Sequence, residues 1–419
     1  MLCAMLNLPP PNLARAKHTK VVSACLELVA EESMQRATKE AVQQNDGDSD
    51  ISVAFDGTWQ RRGFKSKNGV ATITSIDTGK VLDFETLTKF CSGCSKAKTP
   101  EQKQKHAPQC VKNYEGYSGG METQAAVTLF NRSELKRNVR YVNMLGDGDS
   151  KAYSCVKESK PYDDVDVSKL ECVGHVEKRM GTRLRNLKKT MGGKELADGK
   201  SLKGRGRLTD KVIDELQSYY GNAIRGNTDS LDKMYKAVWA TFYHRLSTDE
   251  NPCHSYCPPP PDTWCKYRKN PEGYEHKNPI PEPVMQAIKS IYVDLSNKNL
   301  LKKCLHGRTQ NVNESFNNVV WCRVPKNNFV GKQTLQLGVQ DAVISFNDGN
   351  VGRLRVLEEI GVQNLGKNTI SVLQKFDADR IRKADRAAEL MTKEARIKRR
   401  RQLLEEEEGH GDDYCPGGF

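Results

Sequence analysis

The chain has 419 residues, 37% of them hydrophobic, and its 66 lysines and arginines against 53 aspartates and glutamates give a formal charge of +13. That length can bury a full core and more than one structural unit, and the excess of positive charge favours a polyanionic partner such as nucleic acid over an acidic small molecule. No apolar run approaches the roughly 20 residues of a membrane span, and the 13 cysteines follow no secretory signal, so metal ligation and buried thiols are expected over disulfides in a soluble, intracellular protein.

Residues 1–50 read as a helical lead-in, with one helix from Thr19 to Gln44 that Asn45-Asp46-Gly47-Asp48 breaks, and nothing in them reads as a dedicated DNA-reading module. In Ile51-Ser52-Val53-Ala54-Phe55-Asp56-Gly57-Thr58-Trp59, Ile51, Val53 and Phe55 alternate with smaller or polar residues, the pattern of a strand with one buried face. Asp56 closes that pattern just before a glycine, and a carboxylate placed there costs free energy unless it binds a cation. Gly69 to Ile76 and Lys80 to Phe90 continue as strands joined by Asp77-Thr78-Gly79, which makes an antiparallel meander.

A lysine-rich loop at 91–110 then carries Cys91, Cys94, His106 and Cys110 in the series C-x2-C-x11-H-x3-C. Paired spacings of this kind let each half close one corner of a tetrahedron, thiolates and imidazole together suit Zn²⁺, and four protein ligands leave no open position, so a structural zinc is expected. A helix from Gly120 to Arg132 follows, then a strand from Arg140 to Asp147 that ends in Asp147-Gly148-Asp149-Ser150, with Ser150 placed to cap the next helix. Two strand-terminal acids on one sheet can converge on a shared cation. Val167 to Cys172 supplies a fifth strand, and Cys172-Val173-Gly174-His175 leads into a basic helix from Val176 to Lys189. Taken alone, Cys172 reads as core and His175 as a helix-start residue.

Between 190 and 305 the pattern changes to a helical insertion, with apolar residues at helical spacing in Thr209 to Ile224, Leu231 to Arg245 and Pro283 to Leu295. It holds a second Cys/His cluster around a stiff proline run, for which His254, Cys257, Cys265 and His276 form the expected zinc set and Cys253 is the competitor. In the segment 306–362, Asn311 or Asn313 is expected to cap a helix that carries Glu314 near its positive end and buries Phe316, Val319 and Val320, and a second helix runs from Thr334 to Phe346. Residues 363–419 read as a charged helix from Asp377 to Glu405, whose Lys398-Arg399-Arg400-Arg401 run is a candidate nuclear-localisation or DNA contact, and a disordered tail.

Taken together, Phe55-Asp56-Gly57-Thr58-Trp59, Leu145-Gly146-Asp147-Gly148-Asp149-Ser150-Lys151, Cys172-Val173-Gly174-His175 and Asn313-Glu314-Ser315 resemble the Mutator-like transposase domain of eukaryotic DNA transposons. The resemblance implies a DDE transposase with a ribonuclease H-like α/β fold. Its five-stranded mixed sheet would run in the order 3-2-1-4-5 with helices on both faces, residues 51–189 and 306–362 forming the core and 190–305 interrupting it. It implies Asp56 as first acid, Glu314 as third, and Asp147 or Asp149 as second. Asp147 is preferred because it falls where the strand ends, whereas Asp149 in the turn is better explained as a cap. Cys172 and His175 match the family's C-x2-H pair. The acids would hold two Mg²⁺ or Mn²⁺ ions roughly 4 Å apart for cleavage and joining of DNA strands. The implied partners are transposon ends and target DNA, with a homo-oligomer assembled on them in the nucleus. The alternative functions are a transposon-derived DNA-binding protein without catalysis and a zinc-knuckle nuclease of another fold.

Overall fold

The computed structural model describes residues 15–61, 66–147, 151–261, 263–363 and 365–390; Asp149, Ser150 and the Lys398 to Arg401 run lie outside the described residues. Five strands, β1 (Asp50–Trp59), β2 (Asn68–Ser75), β3 (Val81–Thr88), β4 (Arg140–Gly146) and β5 (Ser168–Glu171), form one sheet in the order β3-β2-β1-β4-β5. The meander β1-β2-β3 is antiparallel, while β4 pairs parallel to β1 and β5 parallel to β4. After α1 (Arg15–Gln44), helix α2 (Gly120–Asn131) lies in the connection from β3 to β4, as parallel pairing requires a crossover.

Ile51, Val53 and Phe55 point into a core shared with Ala125, Leu129 and Phe130 of α2. Their intervening neighbour Ala54 is buried as well, on the opposite face, with Leu145 and Cys172. The expectation of one buried face is therefore corrected: both faces of β1 are covered, and β2 is buried along its whole length. At the end of α2, Arg132 grips the buried carboxylate of Asp83 on β3 through Nε at 2.8 Å and a second nitrogen at 3.0 Å, with Arg137 adding a contact at 3.2 Å. A carboxylate without solvent is tolerated only with such pairing.

Helix α3 (Lys151–Ser159) precedes β5. Four longer helices then build a second core: α4 (Val173–Thr190), α5 (Asp210–Arg225), α6 (Leu231–Leu246) and α7 (Glu282–Leu295). Val176, Met180 and Leu184 recur every fourth residue along α4, and all are buried in that helical core. Helix α5 starts where Thr209 accepts from the Val212 amide, and α6 where Ser230 accepts from the Lys233 amide. Helix α8 (Asn311–Arg323) follows and returns to the sheet.

Residues 34–339 form one compact unit, and the described residues of the flanking segments, 15–33 and 340–390, belong to another. The latter is built, in its described part, from the start of α1, the end of α9 (Lys332–Asn347), α10 (Arg353–Glu359) and α11 (Lys367–Leu390). Arg353 holds Asp341 with two bonds of 2.7 Å, and Asp377 accepts from the amides of Asn350 and Val351. Asp377, the expected first residue of the charged helix, thus lies inside α11, which begins at Lys367. Among the described residues, no helix is long and apolar enough to cross a membrane.

Candidate active site and metal-binding clusters

The parallel ladder between β1 and β4 has its last pair at Ala54 and Leu145. Two residues further along the chain stand Asp56, still within β1, and Asp147, one residue past the end of β4, so the register brings the two acids to the place where the strands part, near enough for the Asp147 charge to act on Asp56. Asp56 is not at the end of β1, as the sequence pattern suggested: β1 runs on to Trp59, and Asp56 still pairs with Thr72 of β2. It is beyond the β4 pairing, not beyond the strand.

Helix α8 is fastened along β1 by side-chain amides. Gln310 donates to the Phe55 carbonyl at 2.7 Å, Asn313 to the Ala54 carbonyl at 3.3 Å, Asn317 to Oδ2 of Asp56 at 2.6 Å, and the Trp321 indole to Thr58 Oγ1 at 2.9 Å. Asn313 also accepts from Thr74 Oγ1 at 2.9 Å. Residues 313, 317 and 321 share one helical face by their four-residue spacing, and Glu314, next to it, is left exposed. The expected Asn cap is corrected here. Gln310 occupies the N-cap position without a capping bond, and the amide of Asn313 is taken up by β1 and β2. Phe316 and Val320 are buried as the pattern required, but Val319 is only half-buried.

The electrostatics tie these groups together. Burial first, and then the Asp147 charge, push the Asp56 carboxyl up to about 6, against the lowering effect of Asn317 and the Gly57 amide; Glu314 adds a further upward push. Oδ1 of Asp147 contacts Nδ1 of His175, and Oε1 of Glu314 lies 3.6 Å from its Nε2. That imidazole therefore stands between Asp147 and Glu314. Hydrogen bonding to Asp147, then to Cys172, raises it to about 10, while Asp147 is lowered chiefly by His175. Cys172 is buried and its Sγ accepts from the Gln310 amide at 3.4 Å, which links the C-x2-H pair to the start of α8.

Sequence reasoning missed Glu122. It lies in the first turn of α2, where an acid ordinarily reads as compensation of the helix dipole, and no local pattern marks it otherwise. Burial, then Asp56 and Asp147, push its carboxyl up to about 7. A Cβ on Gly57 would come within 3.0 Å of Glu122 Cγ, so the glycine beside Asp56 is what lets α2 approach this closely.

Among the described residues, two groups bring ligand atoms within 4.8 Å of one another: Cys91, Cys94, His106 and Cys110, and His244, His254, Cys257 and Cys265. Both can bind zinc. In the first, Cys91 Sγ is 3.0 Å from His106 Nε2 and Cys94 Sγ 3.3 Å from Cys110 Sγ, and any side chain at Gly93 would collide with the His106 ring. In the second, His254 Nδ1 lies 3.2 Å from His244 Nδ1, 3.6 Å from Cys257 Sγ and 3.4 Å from Cys265 Sγ, and His244 Nδ1 lies 3.7 and 3.8 Å from the same sulfurs. A zinc tetrahedron with ordinary bond lengths has edges of about 3.3 Å between nitrogens and about 3.6 Å between nitrogen and sulfur. The set expected from sequence is corrected on one member: His244, on α6, supplies the fourth corner, and His276 instead meets the far nitrogen of His254. Cys253 is outside the group; its amide donates to Ser247.

The basic helix α4 is less free than its composition suggested. Arg179 pairs with Glu171 at 2.9 Å, Arg183 with Asp294 at 2.9 Å, Lys188 with Asp210 at 2.9 Å, and Arg185 with Asp214.

An α/β core with acids where two parallel strands part, a Cys/His group in the loop after β3 and a second one in the helical region together point to the class of protein. The Mutator-like transposase family model matches residues 1–265, more than half of the chain, and the chain belongs to that family. Asp56, Asp147, Cys172 and His175 fall inside the matched residues and Glu314 beyond them. No curated protein and no solved structure matches the chain.

Proposed function

We propose that this chain is the catalytic core of a DDE-type transposase, of ribonuclease H-like fold, which cleaves DNA at transposon ends and joins it to target DNA. The observation that carries the reading is the register of β1 and β4, which aligns Asp56 with Asp147 at the point of strand separation, while α8 is bonded to β1 through Asn317. Membership of the Mutator-like family supports DNA as substrate, and the charge of +13 accords with it.

Asp56, Asp147 and Glu314 would hold two Mg²⁺ or Mn²⁺ ions. The donors fit: all are hard oxygens, and an acid held up near 6 by burial and neighbouring acids is one that a cation relieves. When bound, such ions lower the pKa of an attacking hydroxyl and stabilise a leaving 3′-oxygen. The chain's own residues do the positioning. Asn317 and the Gly57 amide hold the Asp56 carboxylate in place; His175, protonated at neutral pH, orients Asp147 and offsets part of the negative charge that would repel a DNA phosphate. Cys172 links His175 to the head of α8. The same reading carries a nuclear location and assembly as a homo-oligomer on DNA.

The test is incubation of the protein with transposon-end duplex and Mn²⁺. Strand-transfer products from the wild type and none from Asp56→Asn are expected. Tight end binding by the wild type without any nicking would favour a transposon-derived DNA-binding protein instead.

A further inference from the structure

Behind the second Cys/His cluster lies a chain of polar side chains that the four ligands do not account for. His254 turns Nδ1 toward Cys257, Cys265 and His244, so its other ring nitrogen, Nε2, faces away from the cluster. That nitrogen lies 2.9 Å from Ser247 Oγ and 2.8 Å from His276 Nε2. Ser247 Oγ is itself 2.8 Å from His276 Nε2, and His276 Nδ1 is 2.6 Å from Oδ1 of Asp249, which also accepts the His276 backbone amide at 2.9 Å. Ser247 and His254 are both buried.

The distances accommodate an unbroken placement of hydrogens. An imidazole that binds a metal through Nδ1 must carry its proton on Nε2, and that N–H donates to Ser247 Oγ. The serine hydroxyl, which also accepts from the Cys253 amide at 2.9 Å, donates onward to His276 Nε2. His276 then carries its proton on Nδ1 and donates it to Asp249. Every donor in the series has an acceptor, and the series ends on a carboxylate. Metal-bound histidines are regularly oriented by such partners, whose loss weakens metal affinity about 10- to 100-fold.

We propose that Ser247, His276 and Asp249 form a positioning relay for the zinc site of His244, His254, Cys257 and Cys265, fixing the tautomer and ring angle of His254. The proposal rests on that cluster being a zinc site and goes beyond the strand-transfer reading. The relay reaches across the loop from residue 247 to residue 276, so it also couples the turn after α6 to the segment before α7. His276, a ligand by sequence spacing, becomes a residue that acts through a ligand.

The experiment is zinc competition with a chromophoric chelator on the full chain, together with Co²⁺ substitution. The wild type should hold two zinc equivalents, and His244→Ala should lose one outright. Asp249→Asn, His276→Gln and Ser247→Ala should each keep two equivalents but release one of them at about 10- to 100-fold lower chelator concentration, with the intense absorption of tetrahedral Co²⁺ retained. If His276→Gln loses an equivalent as completely as His244→Ala, His276 is a ligand and the relay is wrong. If Asp249→Asn and Ser247→Ala both hold zinc as tightly as the wild type, the relay has no role. A wild type with one equivalent, and with Cys257 and Cys265 open to alkylation, would overturn the zinc reading itself, an outcome distinct from the other two.

Discussion

The acids around Asp56 and the cluster around His254 are built in opposite ways. The first set comes from β1, β4 and α8, and the bond that draws α8 to Asp56 spans 261 residues. The second draws its four ligands from residues 244 to 265, around one short loop. Asp147 and Glu314 are exposed, whereas His254, Cys257 and Cys265 are buried. One set is open on one side and strained by like charges; the other brings together two thiols and two imidazoles. An open site of hard oxygens can admit a substrate and exchange its water, and a closed one of thiolates and imidazoles can only hold. On the proposed reading, the difference separates the part of the molecule suited to chemistry from the part that would keep a proline-rich loop in place.

The largest effect should come from the closed clusters. Removing zinc with a strong chelator should cost on the order of 10 kcal/mol of local folding free energy, as metal-coupled folding does elsewhere. Limited proteolysis should then cut between residues 247 and 276; unchanged resistance would break the contrast from the structural side. From the other side, Asp56→Asn or Glu314→Gln should lower strand cleavage at least about a thousand-fold, a loss of about 4 kcal/mol in the barrier, with a thermal midpoint within a few degrees of the wild type. Either variant retaining full activity would remove the acid assignment.

A smaller effect sharpens the electrostatic half. The contribution of Asp56 and Glu122, held up at about 6 and about 7, to the stability of the metal-free fold is fully present below the ordinary carboxyl range and is lost as pH rises through those values. A cation held by Asp56, Asp147 and Glu314 at a hundred times its Kd adds about 2.7 kcal/mol. The thermal shift produced by Mn²⁺ should therefore grow between pH 5 and pH 8, read by scanning calorimetry, and a shift independent of pH would count against the site. Smallest is Asn317→Ala, which should cost about 1 kcal/mol of stability and raise the Asp56 pKa further, visible by NMR titration of its carboxyl carbon. DNA affinity should also fall linearly with the logarithm of salt concentration; because Arg179, Arg183, Arg185 and Lys188 are already paired inside the protein, neutralising α4 should change that slope by less than its charge implies.

Much of this was legible in the order of residues. The alternation in Ile51 to Phe55, the turn at Asp77 to Gly79 and the four-residue recurrence in α4 are local patterns, and local patterns fix strands and helices because side-chain direction repeats with the backbone. The first Cys/His set was readable for the same reason: its ligands are near in sequence and their spacing carries the geometry. What the sequence could not order was anything resting on two distant segments. His244 and His276 are both within reach of His254 along the chain, and only the packing of α6 decides which one turns its nitrogen toward the sulfurs. Glu122 looks like any acid in a first helical turn until α2 is laid against Gly57. Asn313 looks like a cap until β1 and β2 claim its amide. Composition and pattern determined that this chain would build a sheet carrying acids and loops carrying thiols. Which carboxylates face one another, and which imidazole sits between them, was decided by strand register and helix docking, because burial and charge act through space and not along the chain.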